Sequence, residues 1–118
     1  MRKITTVLLI LIFLVKLPAA SASPDGKEHL IEDALLSAIT PAIDNAIAGY
    51  YGSPRLFGLY DAKILKVERE QAGGYLFKVT VQVKTFTGPH NPPFGIETIT
   101  LAVEPGHIMV TDFHHKEG

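Results

Sequence analysis

The 118-residue chain contains no cysteine and no tryptophan. Without cysteine it has no disulfides, zinc–thiolate sites, iron–sulfur clusters, thiol nucleophiles or cysteine-linked lipid anchors. Charge is sparse too: 19% of residues are charged against 47% hydrophobic, which fits one globular domain and excludes a disordered or fibrous chain. There is no phosphate-binding glycine loop, since Gly73-Gly74 reads as a turn, and no His-Glu-x-x-His pair. Ser23, Ser37 and Ser53 stand in no nucleophile motif. Internal repeats and low-complexity tracts are absent as well.

The first residues have the form of an address. Arg2 and Lys3 precede Ile4 to Val15, which is apolar apart from Thr5 and Thr6; Lys16 closes the run, and Leu17-Pro18-Ala19-Ala20-Ser21-Ala22 follows. A basic start, a short apolar run and a small-x-small end are the parts of a secretory signal peptide, with the bond between Ala22 and Ser23 as the cleavage site. The rival, a membrane anchor, needs ~20 apolar residues, and this run is shorter and closed by a charge. On this reading residues 1–22 are the signal peptide and residues 23–118 a single secreted, extracellular α+β domain that meets the membrane only during export. Removal leaves 96 residues with eight basic and twelve acidic side chains, a net charge of −4. That balance argues against nucleic acid and against anionic lipid as partners. A cysteine-free exported domain must hold together by its core alone.

Residues 27–51 read as helix. Ile31, Leu35, Ile39, Ile43, Ile47 and Tyr51 recur every four residues, with Leu30, Ala34, Ala38, Ala42, Ala46 and Tyr50 beside them. A strict four-residue stripe drifts ~40° per repeat, and Pro41 lies in its middle, so the expectation is a helix pair or one kinked helix, restarting at Thr40-Pro41. Gly52 and Pro54 end it.

Beyond this the pattern is of strands. Residues 60–70 form a first strand whose parity switches near Ile64-Leu65, as a bulge would cause. Ala72-Gly73-Gly74 is a turn. In residues 75–86, Tyr75, Phe77, Val79, Val81 and Val83 face one way, and Lys78, Thr80, Gln82 and Lys84 the other. Residues 87–95 make a stiff nine-residue loop with three prolines. Residues 97–103 alternate again, Glu104-Pro105-Gly106 turns, and residues 107–115 are a last strand of open register. The fold class is therefore α+β: helices covering one face of a four-stranded antiparallel sheet, cystatin/NTF2-like in outline only. The cystatin inhibitory signature is missing, because Gln82-Val83-Lys84-Thr85-Phe86 lacks its glycine.

Two stretches carry a family resemblance: Tyr50-Tyr51-Gly52-Ser53-Pro54-Arg55 running on to Leu59-Tyr60-Asp61-Ala62-Lys63-Ile64, and Gly88-Pro89-His90-Asn91-Pro92-Pro93-Phe94-Gly95-Ile96-Glu97-Thr98-Ile99-Thr100. With the leader and the length, they resemble a family of small exported proteins of spore-forming Gram-positive bacteria, the domain of unknown function 3888. The resemblance covers most of residues 30–115. It implies export and a single domain, and no activity.

Strand parity then sorts the residues by position. Antiparallel strands alternate in direction, so Arg55, Tyr60, the 87–95 loop with His90 and Phe94, Glu97, Asp112, His114 and His115 gather at one end, called the upper end here, and His107 lies at the other. His90, Phe94, Arg55, Glu97 and Tyr60 are the candidate ligand-binding residues, in a non-enzymatic domain that recognises an extracellular or cell-surface partner. No cofactor is assigned. Glu97 shares parity with Ile99 and Leu101; buried, it needs a partner, and Arg55 is the natural one. Asp112 and His114 share a strand face, and with His90 and Glu97 they form a candidate nitrogen–oxygen metal site, the alternative being a metal-binding protein or small hydrolase that uses His90, Asp112 and His114. The structural reading of the same residues is a solvated C-terminus beside a proline-stiffened loop. Phe94 is either an apolar contact at the loop tip or a lid folded back on the core.

Overall fold

One helix, α1 (Lys27–Tyr51), opens the folded region, and the computed structural model describes residues 26–118. The signal peptide and its Ala22–Ser23 bond lie outside the described residues. No helix among the described residues is long and apolar enough to cross a membrane. Five strands follow: β1 (Leu56–Phe57), β2 (Lys63–Arg69), β3 (Phe77–Thr87), β4 (Asn91–Glu104) and β5 (His107–Glu117). All pairings are antiparallel, with β3 beside β4 and β4 beside β5. The class is α+β, as the pattern implies.

The helix is continuous, which corrects the expected pair or break at Pro41. Two geometric facts explain it. Pro41 lies roughly 200° round the helix from both Ile39 and Ile43, so its missing donor and the freed Ser37 carbonyl face water. Both residues are exposed. The drift of the stripe is real and is absorbed at its ends. Ile39, Ile43 and Ile47 are wholly buried, while Ile31 is 57% exposed and Leu36 takes over the inward position near the N-terminal half. The C-terminal stop is as expected: Gly52 adopts φ 73°, and its N–H bonds the Ala48 carbonyl.

The sheet has five strands in four columns, one more strand than expected. β1 and β2 share one edge of β3, opposite Phe86-Thr85 and Gln82–Phe77 respectively, with a 3-10 turn (Leu59–Asp61) between them. An edge column is paired on one side only, so interrupting it sacrifices few ladder bonds. The bulge expected near Ile64-Leu65 is present: the register slips between Ile64 and Lys66. A second slip, opposite Thr100 and Leu101, sets Thr111 apart in β5 and settles that strand's register.

The 87–95 segment is not a nine-residue loop. Gly88-Pro89-His90 forms a tight turn, and β4 begins at Asn91. Thr85 pairs with Gly95 and Thr87 with Asn91, so Pro92, Pro93 and Phe94 oppose Phe86 alone in a wide bulge. Prolines cannot donate to a ladder, and a bulge is where a sheet accommodates them. The Thr87 hydroxyl bonds the Asn91 and Pro92 carbonyls there, at 3.1 and 2.7 Å.

Val79, Val81 and Val83 of β3 and Ile99 and Leu101 of β4 bury their side chains against Leu36, Ile39, Ile43 and Ile47 of the helix. The inward face is the one that the alternation in residues 77–83 marks.

Candidate functional site

At the upper end of the sheet a carboxylate lies inside the core. Glu97 continues the inward row of Ile99 and Leu101, opposite Val83, and is wholly buried. Burial of a carboxylate demands donors. The Tyr51 hydroxyl donates to Oε2 at 2.7 Å and the Thr85 hydroxyl to the same oxygen at 2.6 Å. His115 Nδ1 is in hydrogen-bond and ion-pair contact with Oε1. Three elements thus converge on one side chain: the last turn of α1, β3 and the C-terminal half of β5. The helix end is further seated by Tyr50, whose ring stacks on Phe113 and His115 at centroid distances of 4.9 and 5.0 Å.

The electrostatics follow from these contacts. The hydrogen bond to Glu97 holds the His115 imidazole above its ordinary value of 6.5, against a smaller opposing effect of desolvation, and Glu117 adds to the rise through Nε2 at 3.4 Å. Burial pushes the Tyr51 hydroxyl above 10.0, so it stays a donor. The site also explains Gly95. A Cβ there would lie 2.5 Å from the Tyr51 hydroxyl, 2.6 Å from Glu97 Oε2 and 2.7 Å from Thr85 Oγ1. Only glycine leaves room for the network.

Glu97 is therefore inward, as its parity implies, but Arg55 is not its partner. The Arg55 guanidinium lies 3.9 Å from the Tyr51 ring centroid and donates to the Pro93 carbonyl at 3.4 Å. It covers the aromatic face at the surface while hydroxyls and an imidazole serve the carboxylate within. Stacking on a ring leaves the guanidinium edge hydrated, which a buried ion pair does not. His115, Tyr51 and Thr85 were the partners to find. The signal was in the sequence for Thr85, which continues the Val79-Val81-Val83 row; His115 faces inward because the bulge at Thr111 shifts β5 by one residue.

The other candidates divide between two places. His90 sits in the β3–β4 turn at φ 61°, its ring 4.3 Å from that of Phe86 and its Nε2 3.5 Å from the Tyr60 hydroxyl. Tyr60, in the 3-10 turn, is 74% exposed. Asp112 and His114 do share a face of β5, opposite Thr100 and Thr98, but it is the outer face of the sheet. Phe94 is on that outer face as well, half-buried, with the Lys84 ammonium 5.2 Å from its ring centroid. It is neither at a loop tip nor folded onto the core. Among the described residues no three His, Asp or Glu side chains stand where they could hold one metal ion.

The family model described as "Protein of unknown function (DUF3888)" matches residues 31–117. Neither a curated protein nor a solved structure matches the chain.

Proposed function

The chain belongs to the DUF3888 family of proteins of unknown function, and we propose that it is an exported, non-enzymatic recognition domain. It binds an extracellular or cell-surface partner through the upper end, where the β3–β4 turn and the C-terminal strand lie. Export rests on the basic, apolar and small-residue segments of residues 1–22.

The observation that carries the binding reading is the state of Glu97. A general acid or base needs a free oxygen within reach of a substrate. Both Glu97 oxygens are taken, by Tyr51, Thr85 and His115, and the side chain is sealed from solvent. The network acts as a rivet that makes the upper end rigid. Around it stand exposed groups that a partner can contact: the Tyr60 ring, the His90 imidazole on Phe86, and the edge of Arg55. Preformed aromatic and guanidinium anchors on a rigid sheet lose little freedom on binding.

The test is retention from an envelope extract of producing cells on the immobilised protein. A Tyr60→Ala, His90→Ala double variant is expected to keep its melting temperature and lose a component that the wild type retains. Equal retention by both overturns the reading.

A further inference from the structure

Charge is segregated across this molecule. Five of the eight Lys and Arg residues beyond position 22, namely Lys63, Lys66, Lys78, Lys84 and Lys116, fall at outward-facing register positions of the sheet. All five are exposed. Carboxylates on the same face are Asp61, in the same depression as Lys63 and Lys84, then Glu68, which is bonded to Lys66 at 3.3 Å and paired across strands with Lys78, Asp112, and Glu104 at the lower corner. The helix on the opposite layer carries the reverse sign: Glu28, Glu32, Asp33 and Asp44 against Lys27, all exposed.

The upper half of the cationic face is also concave. One depression is lined by Asp61, Lys63 and Lys84, a second by Thr98, His114 and Lys116, and Gln82 and Ile96 line both. The two shallow depressions meet at Gln82 and Ile96, and the groove they outline crosses β2, β3, β4 and β5. Lys84 and Lys116 flank Ile96 from adjacent strands, so their backbones are about 10 Å apart. Lys63 enters from the far side of Gln82.

We propose that this groove binds an extended polyanion: a flexible chain bearing phosphate groups and no bases. A single small anion draws in the one or two flexible lysines nearest to it, whereas the backbones of Lys84 and Lys116 alone are about 10 Å apart, and Lys63 is farther along the row. A chain carrying many charges meets all of them, and the weak contacts sum. Lysine suits this role because its ammonium is a mobile point charge that phosphate oxygens satisfy from many directions. The Thr98 hydroxyl and Gln82 amide add neutral donors to the lining. Nucleic acid is disfavoured because single strands are held by bases stacked on successive aromatic side chains, and on this face the Phe94 ring lies under the Lys84 ammonium. A bilayer surface is disfavoured because a groove admits a chain and not a plane. The net negative charge argues against long-range attraction to polyanions, but it resides largely on the helix layer, on the far side of the sheet from the groove.

The test is titration of the purified full chain with linear inorganic polyphosphate at two ionic strengths. Binding is expected, weakening steeply with salt. A Lys63→Gln, Lys84→Gln, Lys116→Gln triple variant should keep its melting temperature and bind at least ~10-fold more weakly. A Lys27→Gln, Lys66→Gln, Lys78→Gln triple variant removes the same charge at exposed positions outside the groove and should bind as the wild type does. Equal weakening by both triple variants overturns the groove assignment. No binding of polyphosphate overturns the proposal outright. Equal or tighter binding of a DNA oligonucleotide, of polyglutamate, or of phosphatidylglycerol vesicles overturns the choice of a base-free phosphate chain.

Discussion

Glu97, Tyr51, Thr85 and His115 form a buried network whose members are far apart in sequence, and its sensitivity to pH has a definite sign. Because Glu97 holds the folded-state His115 value above 6.5, the protonated imidazole stabilises the fold. That stabilisation is fully present below 6.5 and is lost as pH rises through the raised folded value. Thermal melts of wild type and His115→Gln, from below 6.5 upwards, should show a gap in melting temperature that narrows as pH rises. A gap independent of pH would mean that His115 is not the titrating partner. Gly95→Ala tests the same network sterically, since the new methyl would displace the Tyr51 and Thr85 hydroxyls from Glu97. It should destabilise by about 1–3 kcal/mol in denaturant unfolding, the usual range for overpacking a filled site. A loss well below that range would show that the hydroxyls move aside freely.

At the scale of elements, prolines are the informative residues, and each sits where its defect is harmless. Pro41 faces solvent on α1, roughly 200° from the buried isoleucines. Replacing it with alanine restores a donor to the Ser37 carbonyl without touching the core. Pro41→Ala should therefore stabilise by about 1–3 kcal/mol, read from chemical denaturation, after allowing for the freer unfolded chain. A decrease would show that the ring makes a packing contribution larger than its helical penalty. Pro92 and Pro93 lie in the β4 bulge, where no ladder donor is required of them. Hydrophobic alternation identified β3 and its inward face and located the β2 bulge. It did not distinguish a proline-rich loop from a proline-rich bulged strand, because both lack regular alternation and differ only in whether a partner strand is within reach.

For the whole molecule, the α+β layering separates an acidic helix from a lysine-rich sheet surface. Export and the polarity of the surface are linked through residues 1–22, which carry three of the eleven Lys and Arg residues and none of the acidic ones. Processing after Ala22 would shift the net charge from −1 to −4 and leave the lysines of the outer sheet face as most of the remaining cations. Intact-mass analysis of the protein recovered from culture medium is expected to find a chain beginning at or near Ser23. Recovery of full-length chain alone would contradict the signal-peptide reading. Net charge alone pointed away from nucleic acid and anionic lipid; a sum over residues carries no information about which layer each charge occupies.

By itself the sequence determined what depends on local order. Period and parity established that residues 27–51 are helical, that strands follow, the inward rows of β3 and β4, the turn at Gly73-Gly74 and the stop at Gly52, because each is set by residues close together along the chain. Tertiary structure decided what depends on meeting at a distance. Whether α1 breaks at Pro41 turned on which side of the helix the sheet covers. Whether Glu97 finds Arg55 or His115 turned on the β5 register, which the bulge at Thr111 shifts by one residue, reversing the faces of His114 and His115. Lysines scattered over three strands became a single face only when hydrogen bonding fixed the strands side by side, since register between strands is a property of their pairing and not of any one of them.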